Sequence, residues 1–169
     1  MTEPKLIRAN QDKLNQLKSL IFNELKPHLA NKRVIFVDYP VYLNVGDLLI
    51  ARGTEFLLKQ VKAKIVTRIS ERNQVLLFDK KWAKDIVIVV NGGGNFGDIY
   101  PHNQKLRTDL VKHFPDNKII FLPQSIHYDE LAILRRDVEI FEAHRNLHIY
   151  VRDHHSYELM NKHLSAYGV

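Results

Sequence analysis

Asp85-Ile-Val-Ile-Val-Val-Asn91, running straight into Gly92-Gly-Gly-Asn-Phe-Gly-Asp98, is the stretch that decides the fold. Its first half is a short β-branched apolar run with no polar alternation, the pattern of a strand buried on both faces. Its second half reads as a glycine loop at the strand's exit. Upstream, Arg33-Val-Ile-Phe-Val-Asp38 has the same character, and Lys64 to Ile69 is a third such run. Between them Asp47 is placed to N-cap a helix carrying Leu48, Leu49, Ile50, Phe56, Leu57 and Leu58. A short helix is expected near Asn73 to Phe78. Downstream follow a helix from about Asn103 to His113, a strand Lys118 to Leu122 ended by Pro123, and a helix Asp129 to His144. A strand His148 to Arg152 and a helix from Ser156 to His163 complete the pattern. At the other end, Leu6, Leu14, Leu17, Ile21, Leu25 and Leu29 recur at helical spacing, so Glu3 to Leu29 reads as one amphipathic helix disturbed at Pro27.

Strand and helix alternate with short connections, which gives an α/β fold with a doubly wound parallel sheet covered on both faces. Residues 1–30 are the leading helix and 31–169 the α/β domain. Ligands of such sheets bind beyond the carboxyl ends of the strands, so the loops after Asp38, Asn91, Leu122 and Arg152 are where function is expected. The composition narrows the chemistry. No cysteine occurs among the 169 residues, which excludes a disulfide scaffold, a thiolate metal site and a cysteine nucleophile. No apolar run is long enough to span a bilayer, and no secretory leader is visible, so a cytoplasmic protein is expected. The net charge is +6, all of it in residues 1–100, because residues 101–169 hold nine basic and nine acidic side chains. No run of five basic residues and no nucleic-acid motif appears, so nucleic acid is not an expected partner. A basic face of this kind suits an anionic ligand or peripheral contact with a membrane's inner face.

Gly92, Gly94 and Gly97 formally match the dinucleotide fingerprint, but Pro101 follows and no acid ends the next strand, so that reading is set aside. The glycines are expected to bring backbone close to a ligand. Asn44-Val-Gly-Asp47 and Asn95-Phe-Gly-Asp98 repeat one pattern and could place two carboxylates near one pocket. Asp47 is either a cap alone or a cap that also faces the cleft. Nine histidines lack metal-ligand spacing, so no metal is expected; His127 is the one placed to face the cleft. Arg152 can hold an anion or pair locally.

Taken together, Asp38-Tyr-Pro with Asn44-Val-Gly-Asp47, Gly92 to Asp98, Leu122-Pro-Gln-Ser-Ile126, and Val151-Arg-Asp153 followed by Ser156 resemble the polysaccharide pyruvyl transferase family. The resemblance runs from about residue 33 onward. It implies a Rossmann-like domain, the first half of a glycosyltransferase-B type arrangement. It implies transfer of the enolpyruvyl unit of phosphoenolpyruvate to a sugar of a cell-surface polysaccharide precursor, with phosphoenolpyruvate as donor substrate and no further cofactor. The acceptor would be a sugar or a lipid-linked oligosaccharide. Family members look about twice this length, so the phosphoenolpyruvate pocket and catalytic base are expected in a second half, and this chain alone is expected to be inactive. Residues expected to line the cleft are Asn44, Gly46, Asp47, Gly92, Gly93, Gly94, Asn95, Gly97, Asp98, Gln124, Ser125 and Arg152, with Asp47 and Asp98 the candidate catalytic groups. Asp98→Ala is accordingly expected to lower activity more than stability. Two other readings stay open: a binding or homo-oligomeric assembly module using the leading helix, and half of a nucleotide-sugar glycosyltransferase.

Overall fold

The computed structural model describes residues 3–164, with side chains from Asn10 onward. Helices α1 (Glu3–Leu29), α2 (Val45–Gln60), α3 (Val75–Phe78), α4 (Pro101–His113), α5 (Leu131–Glu142) and α6 (His154–His163) alternate with the strands. These are β1 (Arg33–Val37), β2 (Lys64–Ile69), β3 (Val87–Val90), β4 (Gly93–Gly97), β5 (Ile119–His127) and β6 (Leu147–Val151). Every pairing in the sheet is parallel. Gln124 on β5 is partnered by Gly93 on one side and Val151 on the other, so β3 and β4 lie in line along one edge of β5, and β6 lies along the opposite edge. The order is therefore β2, β1, β3 with β4, β5, β6, a Rossmann-like doubly wound arrangement.

Alternation within each strand divides the core. Val34, Phe36, Val87, Val89, Ile120 and Leu122 face α1 and α2. Ile35, Val37, Ile88, Val90, Ile119 and Phe121 face α4, α5 and α6 across the other surface. Burial on both faces is why these strands read as continuous apolar runs. The connections leave β1 in opposite directions, to β2 over one face and toward β3 and β5 over the other. This puts the topological switch between β1 and β3, at Asp38 and Asn91.

Two expectations need correction. The glycine segment is not a loop: Gly93–Gly97 is a strand that pairs with β5. Nor does Pro123 end its strand, since β5 continues through it to His127. Pro123 falls between Phe121 and Gln124, where the register with β6 shifts and where β3 hands over to β4. No ladder needs its missing N–H there, the condition under which a strand tolerates proline.

The leading helix forms as its periodicity predicts and runs through Pro27, the expected point of disturbance, to Leu29; among its described side chains, those of the last turns are the packed ones. Leu25 and Leu29 are buried, whereas Leu14, Leu17, Leu20 and Ile21 are exposed.

Candidate functional site

Asp38 sits at the switch point with φ +58°, a left-handed conformation that costs a non-glycine residue energy and recurs at functional sites. Its carboxylate is the hub of a polar cluster. Asn95 Nδ2 and Asn103 Nδ2 each lie 3.4 Å from it, and the Arg107 guanidinium lies 3.5 Å away. Arg107 is wholly buried in α4. It donates to the carbonyl and side-chain oxygens of Asn95 and, at 3.4 Å, to Gln124 Oε1, and it lies over the Phe96 ring. Burial pushes its pKa down, and Asp38 opposes that shift. Gln124, also buried, donates to the Asn91 carbonyl. Arg107 Nε and Asn91 Oδ1 remain buried without a partner among the described residues. The cluster thus locks β1, β4 and β5 to α4 from behind.

In front of it lies the start of α2. Asn44, not Asp47, is the N-cap, and its side chain accepts from the N–H groups of Gly46 and Asp47. That frees Asp47, in the first turn, to face inward. Its Oδ2 accepts from the Tyr42 hydroxyl at 3.0 Å. Burial and this carboxylate raise the Tyr42 phenol above its ordinary pKa, so the hydroxyl stays protonated and donates. Asp47 Oδ1 lies over Gly93, 3.8 Å from where a Cβ would stand.

On the far side, Arg152 Nε donates to Ser125 Oγ at 2.8 Å, and Ser125 donates to Asp153. Asp153 also accepts from the hydroxyl and N–H of Ser156 and caps α6. These bonds hold its carboxyl down at about pKa 2. Arg152 forms no ion pair among the described residues; a Cβ on exposed Gly94 would stand 3.2 Å from its guanidinium. Asp47 and Arg152 thus stand beside adjacent glycines of β4, Gly93 and Gly94, whose Cβ directions alternate between the two sides of the strand. The carboxylate can accept from a hydroxyl, and the guanidinium can hold an anion.

The remaining expected residues are placed differently. Gly92 and Gly97 approach the β5 backbone rather than open space: an added Cβ would lie 2.8 Å from the Pro123 carbonyl oxygen and 1.7 Å from that of His127. Asp98 accepts three hydrogen bonds from the N–H groups of Asp129 and Glu130, fastening the entry to α5. The two Asn-x-Gly-Asp copies thus make different contacts, and of the two carboxylates Asp47 is the one beside Gly93. His127 leans onto Asp129 at 2.9 Å, beside Asp98. Sequence reading placed Asp38 at a strand-exit loop and in the family motif without choosing it for the cleft, and it did not single out Tyr42, Asn103 or Arg107. Arg107 did carry a signal: it lies three residues before Leu110 and four before Val111, on the buried stripe of α4.

The fold is a doubly wound α/β domain with a cluster of polar side chains at the carboxyl edge of its sheet. The polysaccharide pyruvyl transferase family profile matches residues 44–167, and the chain belongs to this family. It is 43% identical over 124 residues to the Bacillus subtilis (strain 168) protein named "Putative pyruvyl transferase EpsO", covering 73% of this chain and 38% of that one. It is 30% identical over 146 residues to Schizosaccharomyces pombe "Pyruvyl transferase 1", covering 82% of this chain and 36% of the relative. The chain therefore spans between a third and two-fifths of the length of these curated relatives.

Proposed function

We propose that this domain is the acceptor-binding half of a transferase that moves the enolpyruvyl unit of phosphoenolpyruvate onto a sugar of a cell-surface polysaccharide precursor. In the balanced reaction two sugar hydroxyls bond to C2 of the donor, its methylene takes up one proton to become a methyl, and phosphate leaves with the other. The observation that carries the reading is the Asp47 carboxylate beside Gly93, with one oxygen engaged by Tyr42, in a chain of this family. Asp47, with one oxygen engaged by Tyr42, accepts a sugar hydroxyl through the other and is placed to take its proton. Asn95 and Asn103 orient neighbouring hydroxyls, and Arg152 holds an anionic group. A second domain in the glycosyltransferase-B manner would close over this edge and supply the donor pocket. No resident cofactor is invoked.

The test measures phosphate release from phosphoenolpyruvate, with and without a panel of simple glycosides as acceptors. Two proteins are compared: this 169-residue chain, and a chimera in which it is followed by the remainder of the Bacillus subtilis relative. Acceptor-dependent release from the chimera alone is expected, with a loss of at least a hundredfold in kcat on Asp47→Asn. Equal turnover by the short chain would refute the half-site reading, and binding of nucleotide sugars in place of phosphoenolpyruvate would favour a glycosyltransferase. Exposed Leu14, Leu17 and Leu20 on α1 favour a second role, in self-assembly. Light scattering with and without residues 1–20 reads that out directly. No helix among the described residues is long and apolar enough to cross a membrane, so any membrane contact of this part would be peripheral.

A further inference from the structure

We propose that the last turns of α1 are a proton-operated latch, held on the sheet by His28 and His148 while both rings are neutral and released when they take up protons. Such a latch is independent of the transferase reading. His28 Nδ1 lies 2.9 Å from Lys118 Nζ, just before β5. An ammonium has only protons to give, so this bond needs an imidazole with a lone pair on Nδ1. Protonation of His28 turns that acceptor into a donor and sets two cations at hydrogen-bond distance. The His148 ring of β6 packs 4.3 Å from the His28 ring, so a second proton lands beside the first. Around the pair, α1 supplies one carboxylate, Glu24, while Lys32, just after α1, adds positive charge beside Lys118. From β6 comes the Tyr150 phenol, and α6 brings Tyr157 but no carboxylate or cation to the groove the rings line. With both rings protonated, His28, His148, Lys32 and Lys118 are set against Glu24 alone.

The cluster sits where α1 is fastened. Among the helix's described side chains Leu25 and Leu29 are buried, and Leu14, Leu17, Leu20 and Ile21 stand exposed. Pro27, beside His28, donates no N–H, so the helix lacks one backbone hydrogen bond at the place where it would open. His28 and His148 both line a groove of about 490 Å³ between α1, β6 and α6, which gives protons a route to the rings while the sheet stands. Burial lowers the pKa of both rings; Lys118 adds to the shift at His28, and His28 then Lys118 add to it at His148. A ring whose docked pKa lies below its free value near 6.5 favours docking above that pH. Its contribution is lost as pH falls toward the docked value, about 4 for His148. Released, α1 would add Leu25 and Leu29 to its exposed Leu14, Leu17 and Ile21, a longer apolar stripe than the docked helix shows.

The experiment follows hydrogen exchange of this 169-residue chain by mass spectrometry from about pH 7 to about pH 5, with rates corrected for their intrinsic pH dependence. Amides of residues 22–29 should exchange through a smaller opening than those of Val87–Val90 at every pH. Their protection should fall about tenfold or more across the range. His28→Gln keeps an acceptor for Lys118, and His148→Phe keeps a ring in contact, but neither replacement takes up a proton. The double variant should therefore hold its α1 protection constant. If the double variant does not fold, His28→Gln alone should shrink the fall, and an unchanged fall would count against the latch. Exchange of α1 and β3 together would overturn it, because the opening would then be global. Protection that ignores pH in the wild-type chain, or an undiminished fall in the folded double variant, would overturn it as well.

Discussion

Gly94 and Gly97 are three residues apart and answer to different constraints. Gly97 has φ +113° and its absent Cβ would overlap the His127 carbonyl oxygen, whereas Gly94 is exposed and meets only the end of the Arg152 side chain. Gly97→Ala is therefore expected to unpair β4 from β5 and to abolish cooperative unfolding, and Gly94→Ala to leave the melting temperature within a few degrees of wild type. Thermal scans followed by circular dichroism distinguish them. Asp98→Ala, expected from sequence to affect activity first, should instead remove three backbone hydrogen bonds at the entry to α5. The cost is about 1–2 kcal/mol in urea unfolding, as for a lost helix cap. Arg107→Met leaves the Asp38 carboxylate and the Asn95 and Gln124 oxygens without their cation. Removing one partner of a buried pair costs about 3 kcal/mol or more, so a steep drop in urea midpoint is expected. Wild-type stability in that variant would show that the cluster is held by its amides alone.

At the scale of elements, α2 carries the clearest conflict between local preference and use. Its Asn44 cap and its buried Ala51, Thr54 and Leu58 are good helix chemistry, while Gly53 is not. Because the space beside Gly53 is open, Gly53→Ala should stabilise the chain by about 0.5–1 kcal/mol, measured as a raised urea midpoint at constant m. A destabilised variant would mean that an unseen contact needs glycine there. The α/β alternation was legible because double-sided burial writes unbroken apolar runs into β1, β3 and β5. β4 was not legible, because a strand made mostly of glycines has no side-chain pattern to read, and its pairing comes from β5 alone. The run of β5 through Pro123 was hidden for a related reason. Proline is excluded from a ladder only where its N–H is needed, and the register shift that removes the need belongs to the neighbouring strands.

Across the whole molecule, acid stability should fall in two separate steps. His148, packed 4.3 Å from the His28 ring, is pushed down to about 4 by burial, then by His28 and Lys118. The unfolded imidazole titrates near 6.5, so between pH 6.5 and 4 the unfolded chain binds the extra proton and stability falls as pH falls. Asp153, held at about 2, contributes stability that is complete above pH 4 and is lost as pH drops toward 2. Melting temperatures from pH 8 to 2 should show both slopes. His148→Gln should flatten the upper one and Asp153→Asn the lower, and a single featureless decline in both variants would contradict the assignment. Sequence by itself determined the fold class and the family, since burial periodicity and turn chemistry are local properties of the chain. Only the tertiary structure decided which residues at the sheet's carboxyl edge do what. Asp98 fastens a helix while Asp47 lies beside Gly93, Gly97 serves β5 while Gly94 is open, and Arg107 lies beneath the switch point. Each of these roles is set by a partner dozens of residues away or by a packed backbone, and such contacts leave no spacing to read along the chain.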